Sequence, residues 1–132
     1  MREILFRGKE KDQWISGYYW KFEKDGKEIH VIRDTPDKLL KFNHIVELET
    51  VGQFTGFLDI DGCKIFEGDI VKAISEMGAV GRVYYDDKKA KFRIKTGKIK
   101  AEPHEYISFI NFSDYGSYKV IGNIFDNPEL LK

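Results

Sequence analysis

Two pairs of carboxylates lie close together in the middle of the chain, Asp59 with Asp61 and Glu67 with Asp69. In an extended segment, side chains two apart point to the same side, so each pair would present its oxygens together. Clustered carboxylate oxygens are what a divalent metal needs for nuclease-like hydrolysis. The same residues have a plainer use. Asp61 precedes Gly62 and Asp69 follows Gly68; aspartate there accepts turn amide hydrogen bonds, and glycine supplies a positive φ. Hydrolysis would further require an organised ligand set. The sequence therefore favours Gly62, Gly68 and Asp69 as turn residues and leaves a metal-dependent hydrolase built on the 59–69 carboxylates as the weakest reading. No catalytic residue, metal or cofactor is expected.

Nucleophilic chemistry has no better support. His30, His44 and His104 are scattered, no HExxH or phosphate-loop motif occurs, and Cys63 is the single cysteine. His30 falls in a strand pattern, as a half-buried or surface residue, and His104 follows Pro103 in a loop. Cys63 and His44 could form a nucleophile and base only if folding joined them; beside a tight turn, Cys63 reads as an incidental surface thiol. A lone thiol forms no internal disulfide and suits the cytosol.

Binding chemistry is more promising. Basic and acidic residues balance at 22 each, yet Gly81–Lys100 holds eight basic residues against two acidic, and Lys41–Ile70 six acidic against two basic. Arg82, Lys88, Lys89, Lys91, Arg93, Lys95, Lys98 and Lys100, interleaved with Tyr84, Tyr85 and Phe92, are the candidate nucleic-acid surface, because single strands need cations and stacking rings together. Alternation sets Phe92 with Ala90 and Ile94, opposite Lys91, Arg93 and Lys95, which makes Phe92 a core residue and weakens this reading. A second candidate is the tryptophan-rich segment near the start. There Trp14, Ser16, Tyr18 and Trp20 share one face, Ile15, Gly17, Tyr19 and Lys21 the other, and Phe22 is set apart from the tryptophans. Aromatic patches favour protein interfaces, so Trp14, Tyr18 and Trp20 are the candidate contact for a like subunit.

The elements that must position these residues are strands. Aromatics make up 14% of the chain, many beside valine and isoleucine, which suits pleated segments. Strands are expected over Glu3–Arg7, Trp14–Phe22, Glu28–Ile32, His44–Leu48, Gln53–Leu58, Lys64–Phe66, Ile70–Ile74, Val80–Tyr85, Ala90–Ile94, Tyr106–Ile110 and Lys119–Ile124. Gly8–Asp12, Asp25-Gly26, Asp61-Gly62, Asp86-Asp87 and Ser113–Ser117 are the turns between them, and Asp25-Gly26 is a strong hairpin signal. Pro36 breaks the pattern before a short helical turn at Asp37–Leu40, and Lys95–Pro103 reads as a loop. Asn127 and Pro128 fit the cap and first position of a short terminal helix. Gly122 is taken as a structural glycine in the last strand.

These motifs carry a resemblance. The opening REILFRGK with its tryptophan strand, the run VGQFTGFLDIDGCKIFEGDIV, the GxVxY element at Gly81–Tyr85 and the ending YKVIGNIFDNPELL are similar to the YopX family, encoded mainly by phages and prophages. Phe57 and Asp61-Gly62 depart from the family's leucine and asparagine-glycine but keep size and turn chemistry, and Cys63 stands where relatives often have lysine. The resemblance brings a fold and no established catalytic or ligand-binding residue.

Together the expectation is a mainly β, α+β protein of antiparallel strands with a minor helix. An N-terminal β subdomain spans 1–49, and an SH3-like or partly open small barrel with a short terminal helix spans 50–132. No signal peptide or membrane span is read in the sequence, so a cytoplasmic protein is expected. The preferred role is a non-enzymatic, homo-oligomeric structural or regulatory adaptor, contacting a phage or host protein, with nucleic-acid binding as the alternative.

Overall fold

The computed structural model describes residues 2–33, 43–74, 78–96, 109–111 and 118–131. The expected helical turn at Asp37–Leu40, the bulk of the Lys95–Pro103 loop, His104 and the Ser113–Ser117 turn fall outside them. Two compact units are present, Met1–Phe54 and Thr55–Lys132.

The first unit is an antiparallel sheet. Strands β1 (Phe6–Glu10), β2 (Gln13–Lys24), β3 (Lys27–Arg33) and β4 (Asn43–Ile45) precede a 3-10 turn at Leu48–Thr50 and the start of β5 (Gly52–Leu58), in the spatial order β4-β3-β2-β1-β5. Strand β2 serves two partners, pairing Gln13–Gly17 with β1 and Tyr18–Lys24 with β3. Asp25 and Gly26 take φ of 53° and 76°. Positive φ at both central positions is the turn whose twist matches its flanking strands, so Lys24 lies directly across from Lys27.

Strand β1 departs from expectation, running through Gly8 to Glu10 and leaving only Lys11 and Asp12 as the turn. Gly8 is in the strand because the chain packs closely there: a Cβ would stand 3.0 Å from Val46 and 3.2 Å from Ile32. Ile32, Val46 and Phe54 are buried in this unit. Strand β4 is shorter than expected, because the chain turns at Leu48–Thr50. There the Thr50 hydroxyl donates to Glu47 O at 2.7 Å and accepts from Lys9 N at 2.8 Å.

The second unit holds the end of β5, with β6 (Lys64–Phe66), β7 (Asp69–Ala73), β8 (Val80–Asp86), β9 (Lys91–Thr96), β10 (Phe109–Asn111) and β11 (Tyr118–Asn123), then a 3-10 turn at Pro128–Leu131. Its sheet is ordered β10-β9-β8-β7-β11, antiparallel throughout. Ile65, Val71, Ala73, Val83, Ile94 and Tyr118 form its core, with Phe57 and Val120 packed against them. Strands β10 and β11 stand at opposite ends of the sheet, and no pairing joins them among the described residues.

Gly122 sits at the irregularity between β11 and β7, where a Cβ would fall 2.5 Å from the Asn127 side-chain oxygen. The terminal helix is a single 3-10 turn. The Asn127 side-chain oxygen accepts from Asn123 N at 3.3 Å, and Leu130 N donates to the Asn127 carbonyl at 3.1 Å. Among the described residues no helix is long and apolar enough to cross a membrane.

Candidate functional site

Of the middle carboxylates, Asp59 and Asp69, the first residue of β7, accept backbone amides. Asp59 is buried; Oδ1 accepts from Asp61 N at 2.9 Å and Cys63 N at 2.8 Å, and Oδ2 from Val120 N at 3.1 Å. Burial pushes its pKa upward, and the amides of Val120, Cys63 and Asp61 outweigh that and hold it below the ordinary value. Asp69, 1% exposed, accepts from Phe66 N at 2.8 Å. Asp61 faces Lys119 at 3.5 Å, and burial, with Asp87 nearby, raises the Glu67 pKa. Among the described residues no group of three histidine, cysteine or acidic side chains is placed to hold a metal ion. Gly62 and Gly68 have φ of 82° and 92°. Cys63 is exposed in the second unit, whereas His44 lies in the first, 3.2 Å from Glu10.

His30 is more deeply placed than a half-buried strand residue, at 7% exposure. Its ring stacks on Tyr19, and its Nδ1 lies 2.6 Å from the Tyr19 hydroxyl. Burial raises the Tyr19 pKa. Phe6 completes this cluster, 5.3 Å from Tyr19 between ring centres.

Register breaks up the cationic side of the basic strand pair in the second unit. Register places Arg82 across from Lys95, Tyr84 from Arg93 and Asp86 from Lys91, so a carboxylate interrupts the cationic side. Arg93 Nη1 meets Asp86 Oδ2 at 2.9 Å, with both side chains largely covered. Lys88 and Lys89 lie exposed in the turn, their amides donating to Asp86 Oδ1. Tyr85 is exposed and meets Phe92 edge-on at 5.1 Å. Lys98 and Lys100 lie outside the described residues.

The first sheet presents a different surface. Its register gathers Arg7 and Lys9 from β1, Trp14, Ser16, Tyr18, Trp20, Phe22 and Lys24 from β2, Lys27, Ile29, Val31 and Arg33 from β3, and Asn43 and Ile45 from β4 onto one face. No strand residue on that face is a carboxylate. Glu10, Glu23 and Glu28 all fall on the reverse, where Glu28 meets Lys21 at 3.0 Å and Glu10 meets His44.

Tyr18, Trp20 and Phe22 are 46%, 41% and 37% exposed. Phe22 belongs with the tryptophans rather than apart from them. It follows Trp20 by two in an unbroken strand, and the two rings stack with centres 5.1 Å apart. Arg7 lies 4.7 Å over the Trp14 ring and Lys9 5.7 Å from its centre, both cation–π contacts. Tyr18, Tyr19, Trp20 and Arg33 line an open hollow of about 450 Å³. Arg33 is held there by Nε donating to Asn43 Oδ1 at 3.2 Å.

Sequence reading found Trp14, Tyr18 and Trp20 but not Phe22 or the cations around them. The Asp25-Gly26 turn was the available signal: once it sets Lys24 across from Lys27, counting along both strands brings Arg33 beside Tyr18.

The architecture defines a two-unit antiparallel β protein with an aromatic, carboxylate-free sheet face in its first unit. The chain belongs to the YopX family: the family model, described as YopX protein, matches residues 5–132. Among solved structures it is similar to the crystal structure of protein EF1440 from Enterococcus faecalis, at 21% identity over 100% of both chains with a TM-score of 0.56, a likeness of fold. No curated protein matches it significantly.

Proposed function

We propose that this YopX-family chain is a non-enzymatic accessory protein that binds nucleic acid through the β1–β4 face of its first unit. One observation carries the reading: five cations and four aromatic side chains share that face, while the carboxylates of the same strands are all on the reverse. Segregation matters because the whole chain has no net charge, so attraction to phosphate must come from a local field. The β8–β9 side supports this less well, since Asp86 lies within it and engages Arg93.

Protein–protein adaptor activity through Trp14, Tyr18 and Trp20 is the second reading, favoured by Ile45, 62% exposed on the same face. A two-fold contact through this face would bring the Lys24, Lys27 and Arg33 cations of two copies into one interface with no carboxylate from those strands among them. Like-charge juxtaposition of that kind costs several kcal/mol. For the second unit we infer a partly open, SH3-like barrel, supported by the packing of Ile65 and Phe57 with Val71, Val83 and Ile94 of the five-stranded sheet.

Binding of a labelled oligonucleotide across a salt series tests the function. Affinity should fall linearly on logarithmic axes. Replacing Lys24→Gln with Lys27→Gln should flatten the slope by about 1 to 2, and Lys91→Gln with Lys95→Gln should leave it unchanged. No binding, an unchanged slope in the Lys24/Lys27 variant, or stronger binding to poly-glutamate would overturn the reading.

A further inference from the structure

Resting on the nucleic-acid reading above, we infer that the ligand is a single strand, held by bases stacking on Tyr18 and on the Trp20–Phe22 pair.

Spacing distinguishes single from double strands. Tyr18, Trp20 and Phe22 occupy alternate positions of one strand, so neighbouring side chains leave the backbone about 6.7 Å apart. Each strand of a duplex advances only about 3.4 Å per nucleotide, and its bases are stacked on one another and paired. Bases can meet these rings only after they have been splayed from their neighbours, which a single strand permits at little cost. The ring arrangement suits such contacts. Trp20 and Phe22 stack on one another with their planes inclined by 27°, so each covers part of its neighbour and the pair offers its outer ring faces to a base. Trp14 already carries Arg7 across its ring, so it contributes less as a platform and more as an anchor for that guanidinium.

The cations are placed for a backbone running beside these rings. Arg33 sits opposite Tyr18, and Lys24 and Lys27 stand at the hairpin end beyond Phe22. A strand lying along β2 would meet a positive group at each end of the aromatic row. The open hollow lined by Tyr18, Trp20 and Arg33 lies at one end of this row. None of these contacts reads the identity of a base, so binding is sequence-tolerant, as stacking platforms are.

The full chain would be titrated with an oligothymidylate, with the same strand paired to oligoadenylate, and with heparin, following tryptophan fluorescence and anisotropy. Expected are at least tenfold tighter binding to the single strand, quenching of tryptophan on binding, and a loss of about tenfold or more in Trp20→Ala for the single strand only. Phe22→Leu should weaken it less while circular dichroism stays unchanged, which provides a milder test if Trp20→Ala fails to fold. Equal affinity for all three polyanions, or a single-strand preference untouched by both variants, would overturn the stacking inference and leave the electrostatic reading standing. Binding to none of them would remove that reading as well.

Discussion

Asp59 is the residue that most repays attention in the second unit. Its two oxygens accept three backbone amides, tying the Asp59–Cys63 turn to β11. Asn would keep the shape but turn a donor toward at least one of those amides, leaving a buried group unsatisfied at a cost of about 1–3 kcal/mol. Asp59→Asn should therefore lower the denaturation midpoint in urea by a corresponding amount. The amides depress the folded-state pKa, so the stabilisation is complete above the unfolded value of roughly 4 and is lost as pH falls through the lower folded value. Urea titrations below pH 4 should show the wild type converging on Asp59→Asn; a constant gap across that range would exclude the carboxylate as its source. At this scale the sequence located the turn, because the Asp61-Gly62 pair acts locally, but placed the amide acceptor at Asp61, whereas Asp59 accepts and Asp61 meets Lys119. It could not disclose the Val120 contact, which joins residues 61 positions apart.

At the scale of the element, register decides what each strand presents. The alternation of β2 was visible in the spacing of Trp14, Tyr18 and Trp20, whereas the company those residues keep depends on partners that composition does not rank. The basic run from Arg82 to Lys100 is the denser one in sequence, yet its pairing brings Asp86 into the row. The scattered cations of the first three strands converge instead. Boundaries were legible where a turn residue acted alone, as at Asp25-Gly26, and missed where a strand passed through a glycine for packing reasons, as at Gly8. Strand β8 depends on such a glycine: a Cβ at Gly81 would stand 2.7 Å from both the Ile94 side chain and the Lys95 carbonyl. That carbonyl is backbone and cannot step aside without opening the β8–β9 ladder. Gly81→Ala should cost about 1–3 kcal/mol, as overpacking does, and thermal unfolding would reveal it. A variant as stable as the wild type would mean that the ladder yields.

For the whole molecule, zero net charge hides an uneven distribution of charge between surfaces. Light scattering at high micromolar concentration is expected to give a monomer in moderate salt; a dimer that Trp20→Lys disperses would instead favour the adaptor reading. Membership of the YopX family accounts for the motifs at both ends and in the middle, but a shared fold assigns no ligand, so function has to be argued from the faces. One feature of the first sheet also bears on how such chains can change over time. The aromatic row is borne on twelve consecutive residues without a bulge. Inserting or deleting one residue between Gly17 and Tyr18 would swing Tyr18, Trp20 and Phe22 onto the reverse face, where Lys21 and Glu23 now stand, and bring Tyr19 to the aromatic side. Length variation among relatives should consequently be found at the Asp25-Gly26 tip and be missing from the stretch leading up to it.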